Sequence, residues 1–187
     1  MDLDEVRTRL LDAAEELFYE RGVQAVGMDE IRSASGVSLK RLYQVFPSKA
    51  DLVLGYLERR DVRWRSRVME YADGHPAGPQ RILAVFDWLF QWFREPGFRG
   101  CAFINSFGEL GAVDPAVGAA ARRHKNAFRQ YMAGLVDAAD VPRGLTDPLV
   151  LLAEGAITTA AISNSPEPAR QARRAAALLL EPYDHGQ

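Results

Sequence analysis

A single cysteine, Cys101, is all the chain contains, so no internal disulfide can staple it, which fits a reducing compartment. The three histidines, His75, His124 and His185, are far apart, and no His-Glu or cysteine pairing has metal-ligand spacing. No metal and no cofactor is expected. Gly97, Gly100, Gly108 and Gly111 do not form a phosphate-cradling loop, and Cys101 has no local base, which favours a small buried apolar role over a nucleophile or redox sensor. Catalytic residues are therefore not assigned and an enzyme is not expected. No stretch approaches the ~20 uninterrupted apolar residues of a membrane span, and the first residues, MDLDEVRTRL, are acidic and amphipathic where a signal peptide is basic and then apolar. The expectation is a cytoplasmic protein with no membrane partner. Strand patterns, repeats and low-complexity segments are also missing.

What is present is ample apolar material: 48% hydrophobic and 10% aromatic residues in 187, enough for one large domain or two small ones. The most informative stretch runs from Gly27 to Asp51, GMDEIRSASGVSLKRLYQVFPSKAD, with the spacing of two short helices around a tight turn. Ile31 and Ala34 form the apolar side of the first, Gly36 supplies positive φ at the turn, and Val37 fills the angle between the helices. Ser38 is placed to cap the second helix near the Arg41 amide, while Leu42 and Phe46 face the core and Leu39, Lys40, Tyr43 and Gln44 point outward. Although the formal charge is −2, no acidic residue lies between Glu30 and Asp51, whereas Arg32, Lys40, Arg41 and Lys49 do. That asymmetry is a local footprint for double-stranded DNA. A second run, Arg59, Arg60, Arg63, Arg65 and Arg67, reads as a solvated helix face or a set of intersubunit ion pairs.

Residues from about Asp4 to Tyr56 resemble the N-terminal DNA-binding domain of the TetR family of transcriptional regulators. The resemblance rests on Ala13, Ala14, Leu17, Phe18, Gly22, Ile31, Ala34, Ser35-Gly36-Val37-Ser38, Leu42-Tyr43, Phe46 and Ser48-Lys49-Ala50-Asp51-Leu52, in that order. Two positions depart from it: many members carry threonine where Gly27 stands, and Ile-Ala where this chain has Ile31-Arg32. The resemblance implies that Tyr43 and Lys49 touch the phosphate backbone. Leu39, Lys40 and Gln44 are the candidates for base edges, Arg41 serves either purpose, and Met28 and Ser38 complete the DNA-binding set.

The punctuation separates helices almost throughout, which gives an all-α fold class. Helices are expected at Asp4–Glu20, Met28–Ala34 and Ser38–Gln44. Ser48 with Asp51 makes a capping box for a long helix to about Tyr71. Asp73-Gly74-His75-Pro76-Ala77-Gly78-Pro79 cannot continue it and marks a boundary. Further helices are expected at Gln80–Arg94, Ala102–Leu110, Pro115–Ala139, Pro148–Ser163 and Glu167–Leu180, with Asp114-Pro115 and Asp147-Pro148 each read as N-cap and first helical position. The domains are then a three-helix helix-turn-helix DNA-binding domain at 1–50 and a helical effector-binding and dimerisation domain at 51–187, linked by helix 48–71.

In the second domain Val85, Trp88, Leu89 and Trp92 share one helix, with the tryptophans either core or lining a cavity. Asn105 and Glu109 put an amide and a carboxylate on one face of an apolar helix, where they either bond neighbouring helices or orient a small molecule. His124, within Arg122-Arg123-His124-Lys125, either sits on an exposed helix face or points inward to an effector. The candidate effector set is Trp88, Trp92, Phe103, Asn105, Phe107, Glu109, His124 and Phe128. The segment from Gly100-Cys101 to Glu109 resembles the ligand-binding domains of one subset of TetR-like regulators. That resemblance implies small apolar or aromatic effectors and a homodimer built on the last two long helices, with Pro115–Ala139 as an alternative partner. Ala153, Gly155, Ala156, Ala160 and Ala161 leave a surface smooth enough for close helix approach. The family reading is a homodimeric repressor released from a palindromic operator by a small-molecule effector. The rival is a helical carrier or scaffold that keeps the helix-turn-helix shape without binding DNA.

Overall fold

The computed structural model describes residues 2–183, which form nine α-helices and two short 3-10 turns and contain no strand. The helices are α1 (Leu3–Arg21), α2 (Met28–Ser35), α3 (Leu39–Val45), α4 (Lys49–Asp73), α5 (Pro79–Phe93), α6 (Ala102–Leu110), α7 (Pro115–Ala138), α8 (Thr146–Ser163) and α9 (Glu167–Leu180). The all-α class read from the sequence is the class observed. Local chemistry sets most boundaries. Asp2 caps α1 by accepting the Glu5 amide at 2.8 Å, and Asp114 caps α7 by accepting the Ala116 amide at 2.9 Å. One boundary differs from expectation: α8 begins at Thr146, after a 3-10 turn at Arg143–Leu145, so Asp147 lies inside the first turn instead of capping it. There its carboxylate takes both Arg129 donors, at 2.6 and 3.2 Å, and the cap position falls to Leu145.

The chain packs as two units. Among the described residues, one comprises 2–62 together with Ala102–Arg122, and the other Arg63–Cys101 with 123–183. Helix α4 runs through both and α6 belongs to the first. In that unit α1 packs on α2 and α3. Phe18 meets Tyr56 edge-on at 5.7 Å over a core holding Leu10, Ile31, Leu42 and Leu52. Each such side chain removed from water contributes about 1.5–3 kcal/mol. Ala34, expected beside Ile31, is exposed. Of the eight residues of α2 only Ile31 is buried.

Arg59 and Arg60 are neither solvated nor reserved for a partner subunit. Arg59 bonds Asp12 and Glu15, each at 2.8 Å, while Arg60 reaches Glu15 at 3.3 Å and lies 3.6 Å over the Tyr19 ring. These bonds fasten α4 to α1.

In the second unit α5 buries nine of its fifteen residues and packs on α8 and α9. Gly100 takes φ 81, and a Cβ there would stand 2.9 Å from that of Ala161, so only glycine brings the segment before α6 this close to α8. Residues 143–163 are long and apolar enough to cross a membrane by length and composition alone. They also carry Arg143, Asp147 and Glu154, and Glu154 pairs with Lys125 at 2.6 Å.

Candidate DNA-reading surface and effector cluster

The reading surface is built by three caps. Gly36 at φ 66 and ψ 17 ends α2 in the left-handed conformation, and Ser38 then accepts the Arg41 amide at 3.4 Å to start α3. Ser48 accepts the Asp51 amide at 3.1 Å and donates to its carboxylate at 2.6 Å, which starts α4. Lacking a side chain, Gly27 cannot cap α2 in the usual way. Instead Glu30 accepts the Gly27 amide at 3.2 Å and holds Arg21 at 2.7 Å. The Arg21 guanidinium, then the Gly27 amide, keep the Glu30 carboxyl below its usual range.

These caps hold Leu42 and Phe46 inward, while Ser38, Leu39, Lys40, Arg41, Tyr43 and Gln44 are all exposed, Leu39 and Tyr43 by nearly half. Met28 and Lys49, the first residues of α2 and α4, are half-buried. Leu39 and Tyr43 put an apolar and an aromatic side chain on the outer face of this seven-residue helix. Groups of this kind, among lysine and arginine with no acid on the helix, match what a DNA groove offers: phosphates, base edges and thymine methyls.

Four of the eight effector candidates meet in the second unit, around a residue that sequence reasoning missed. The Trp64 ring makes edge-on contacts with Trp88 at 5.4 Å, Trp92 at 5.8 Å, His124 at 5.2 Å and Phe128 at 5.3 Å. Trp88 and Trp92 stack on each other at 5.5 Å, and the Arg67 guanidinium, paired with Glu95, lies 5.7 Å over Trp88. His124 is buried and does not sit on an exposed helix face. The Trp64 indole Nε1 is buried and meets no hydrogen-bond acceptor among the described residues. A signal for Trp64 was available. Leu57, Trp64 and Val68 are spaced seven and four apart, the period of one helix face, but arginines on either side of Trp64 hid it. A groove of about 290 Å³ lies beside the cluster, with Phe128, Val68, Arg65 and Tyr131 among its lining. Burial, then the Asp73 carboxylate, raises the Tyr131 phenol above its ordinary pKa.

The other four candidates lie on α6, in the first unit. Phe103 is buried, Asn105 and Phe107 are exposed, and both carboxylate oxygens of Glu109 accept backbone amides, Val23 at 3.1 Å and Gln24 at 2.7 Å. An effector seeking Glu109 would have to displace both. Cys101 is buried with the Lys125 ammonium 3.3 Å from its sulfur. Burial works against the charge of Lys125, but Cys101 and Glu154 outweigh it, and its pKa stands above the ordinary value. His185 lies outside the described residues.

Comparison with known proteins bears on both units. The sequence profile described as "Bacterial regulatory proteins, tetR family" matches residues 10–56, and that described as "Tetracyclin repressor-like, C-terminal domain" matches residues 78–176. This chain belongs to the TetR family. Among TetR relatives, the transcriptional regulator AcuR of Cereibacter sphaeroides is 31% identical over 171 residues, covering 85% of this chain and 78% of AcuR. The transcriptional activator FasR of Mycolicibacterium smegmatis is 40% identical over 89 residues, 48% of this chain but only 41% of FasR. The crystal structure of a TetR-family transcriptional regulator from Streptomyces coelicolor superposes with a TM-score of 0.87 at 31% identity, covering 97% of this chain and 91% of that one. The chain is thus a TetR-family DNA-binding transcriptional regulator, and its relatives are regulators, not enzymes.

Proposed function

We propose that the protein is a cytoplasmic homodimeric repressor that leaves a palindromic operator when a small molecule enters the Trp64 cluster. The observation that carries this reading is α4. One uninterrupted helix begins with Lys49, beside the recognition helix α3, and carries Trp64 into the aromatic cluster. An effector that fits better when Trp64 is displaced favours the conformation in which α4, and α3 with it, has moved. Two recognition helices must lie about 34–36 Å apart to enter successive major grooves, so a small displacement spoils the fit of both. In this division residues 1–50 read DNA and residues 51–187 sense the effector and dimerise, with helix 48–71 between them.

The dimer face in this reading is α8 with α9. Leu151, Ile162 and Leu178 are 71%, 82% and 70% exposed, and a groove of about 510 Å³ between the two helices is lined by Pro148, Leu151, Leu152, Ala175, Leu178 and Leu179. Apolar residues this exposed on consecutive helices match a four-helix interface between two copies. The effector is a small molecule with an apolar body and one hydrogen-bond acceptor, the body for the groove beside Phe128 and Val68 and the acceptor for Trp64 Nε1.

The three tryptophans of the chain all lie in this cluster, so intrinsic emission reports on it alone. Compounds that shift the emission should release the protein from its operator, and Trp64→Phe should abolish both effects. Compounds that shift the emission while operator affinity stays the same would contradict the reading.

A further inference from the structure

The corner between α1 and α2 is shaped around a carboxylate from α6. Gly22 turns the chain at φ 89, and a Cβ there would lie 3.0 Å from Glu109 Oε1. The next two amides, of Val23 and Gln24, each donate to a different oxygen of that carboxylate, and the Gln24 side-chain amide donates back to the Glu109 carbonyl. Neither amide belongs to a helix. Without Glu109 they lose their partners, and the Val23 side chain beside them is buried. On α6 itself Phe103, Ser106 and Glu109 recur every three residues, with Phe103 and Ser106 buried and Phe107 exposed. The reading head thus has two separate fastenings: Arg59 and Arg60 tie α1 to α4, and Glu109 ties the end of α1 to α6.

We propose that Glu109 is a positioning residue for DNA recognition, fixing the bearing of the reading head on α6 so that α4 alone does not set it. Charge-assisted bonds to two successive amides resist rotation as well as separation, which a single contact does not. Orientation matters only when two heads must engage one DNA at once, so the inference rests on the dimeric reading given above. A head with a free bearing still binds one half-site. It loses the advantage of the second, because that advantage depends on both heads being held in register.

The test compares the wild type and Glu109→Ala on two duplexes: a full site selected from a random-sequence library, and the same duplex with one half scrambled. Affinity for the full site should fall about tenfold while half-site affinity stays within about twofold, with helical content unchanged. Gln24→Ala, which spares the carboxylate bonds, should show the same pattern more weakly, and it decides the matter on the same criterion if Glu109→Ala does not fold. Equal losses on both duplexes would mean that Glu109 only supports the fold of the head, and no loss on either would mean it does nothing for recognition. Either overturns the inference. A wild type that binds full and half sites equally would instead defeat the two-headed reading, and the inference with it.

Discussion

Replacing Gly55 by alanine sets two opposing effects against each other, and their sizes decide the outcome. Gly55 is buried within α4, where alanine is favoured over glycine by about 0.8–1 kcal/mol in a helix interior. Its Cβ would stand 2.9 Å from Phe46 Cε1 and 3.4 Å from both Phe46 Cζ and Leu11 Cδ2. Carbon atoms settle at about 3.5–4.0 Å, so the ring must retreat by about half an ångström or more. It has little room. Phe46 is buried, the Arg7 guanidinium lies 4.9 Å from the ring centroid, and the Phe46 amide closes α3 by donating to the Leu42 carbonyl at 2.8 Å. Overpacking of this kind costs about 1–3 kcal/mol, so Gly55→Ala should be less stable by about 1 kcal/mol despite the gain in helix propensity. Because Phe46 caps the recognition helix, operator affinity should also fall. A domain with several kcal/mol in reserve stays folded after such a loss, so the fall would report displacement of α3, not unfolding. Urea denaturation at fixed protein concentration gives the first quantity and DNA titration the second. Phe46→Leu in the Gly55→Ala background should recover part of the stability, a coupling that a double-mutant cycle detects. A Gly55→Ala protein more stable than wild type by the full propensity difference would refute this account of the packing beneath α3.

Lys49→Ala should weaken binding to all duplexes alike and flatten the dependence of log K on log salt by roughly 0.9 for each phosphate no longer neutralised, or twice that for a dimer, whereas Lys40→Ala should also relax base preference; salt titrations on matched and mismatched duplexes separate the two. Leu151→Glu, which puts a charge on the exposed α8 face, should shift the protein from dimer to monomer in sedimentation and remove tight operator binding, and a dimer of unchanged strength would place the interface elsewhere. Glu154→Gln leaves Lys125 without its carboxylate and should cost about 1–3 kcal/mol at neutral pH. Since the Lys125 pKa is raised in the folded protein, the pair stabilises fully below the ordinary lysine value of about 10.4, and the difference between wild type and variant should close only as pH climbs through the raised one.

What the sequence made legible is what short-range chemistry determines. The turn at Gly36, the cap at Ser38 and the box at Ser48 and Asp51 each depend on residues within four positions of one another, and the structure has each of them. Bonds between distant residues were not legible. The Glu109 carboxylate meets amides 85 and 86 residues earlier; its place on a helix face with Asn105 left a bond to neighbouring helices open but could not name these partners. Arg59 and Arg60 looked like a surface run because their acidic partners, Asp12 and Glu15, sit on another helix more than 40 residues away. Trp64 was passed over for a different reason: the charge of its neighbours masked a periodicity that places it inward. The start of α8 failed on competition, since Asp147 is a good cap by type but finds a better partner in Arg129.

The most direct test of the central claim is fluorescence anisotropy of the purified protein on the DNA upstream of its own gene, titrated at several salt concentrations beside a scrambled duplex. The account predicts tight, sequence-dependent binding whose affinity falls steeply with salt, as expected where lysines and arginines of two recognition helices neutralise phosphates. Absence of any salt-sensitive binding to either duplex would contradict it, leaving a helical carrier that has kept the shape of a reading head without its use.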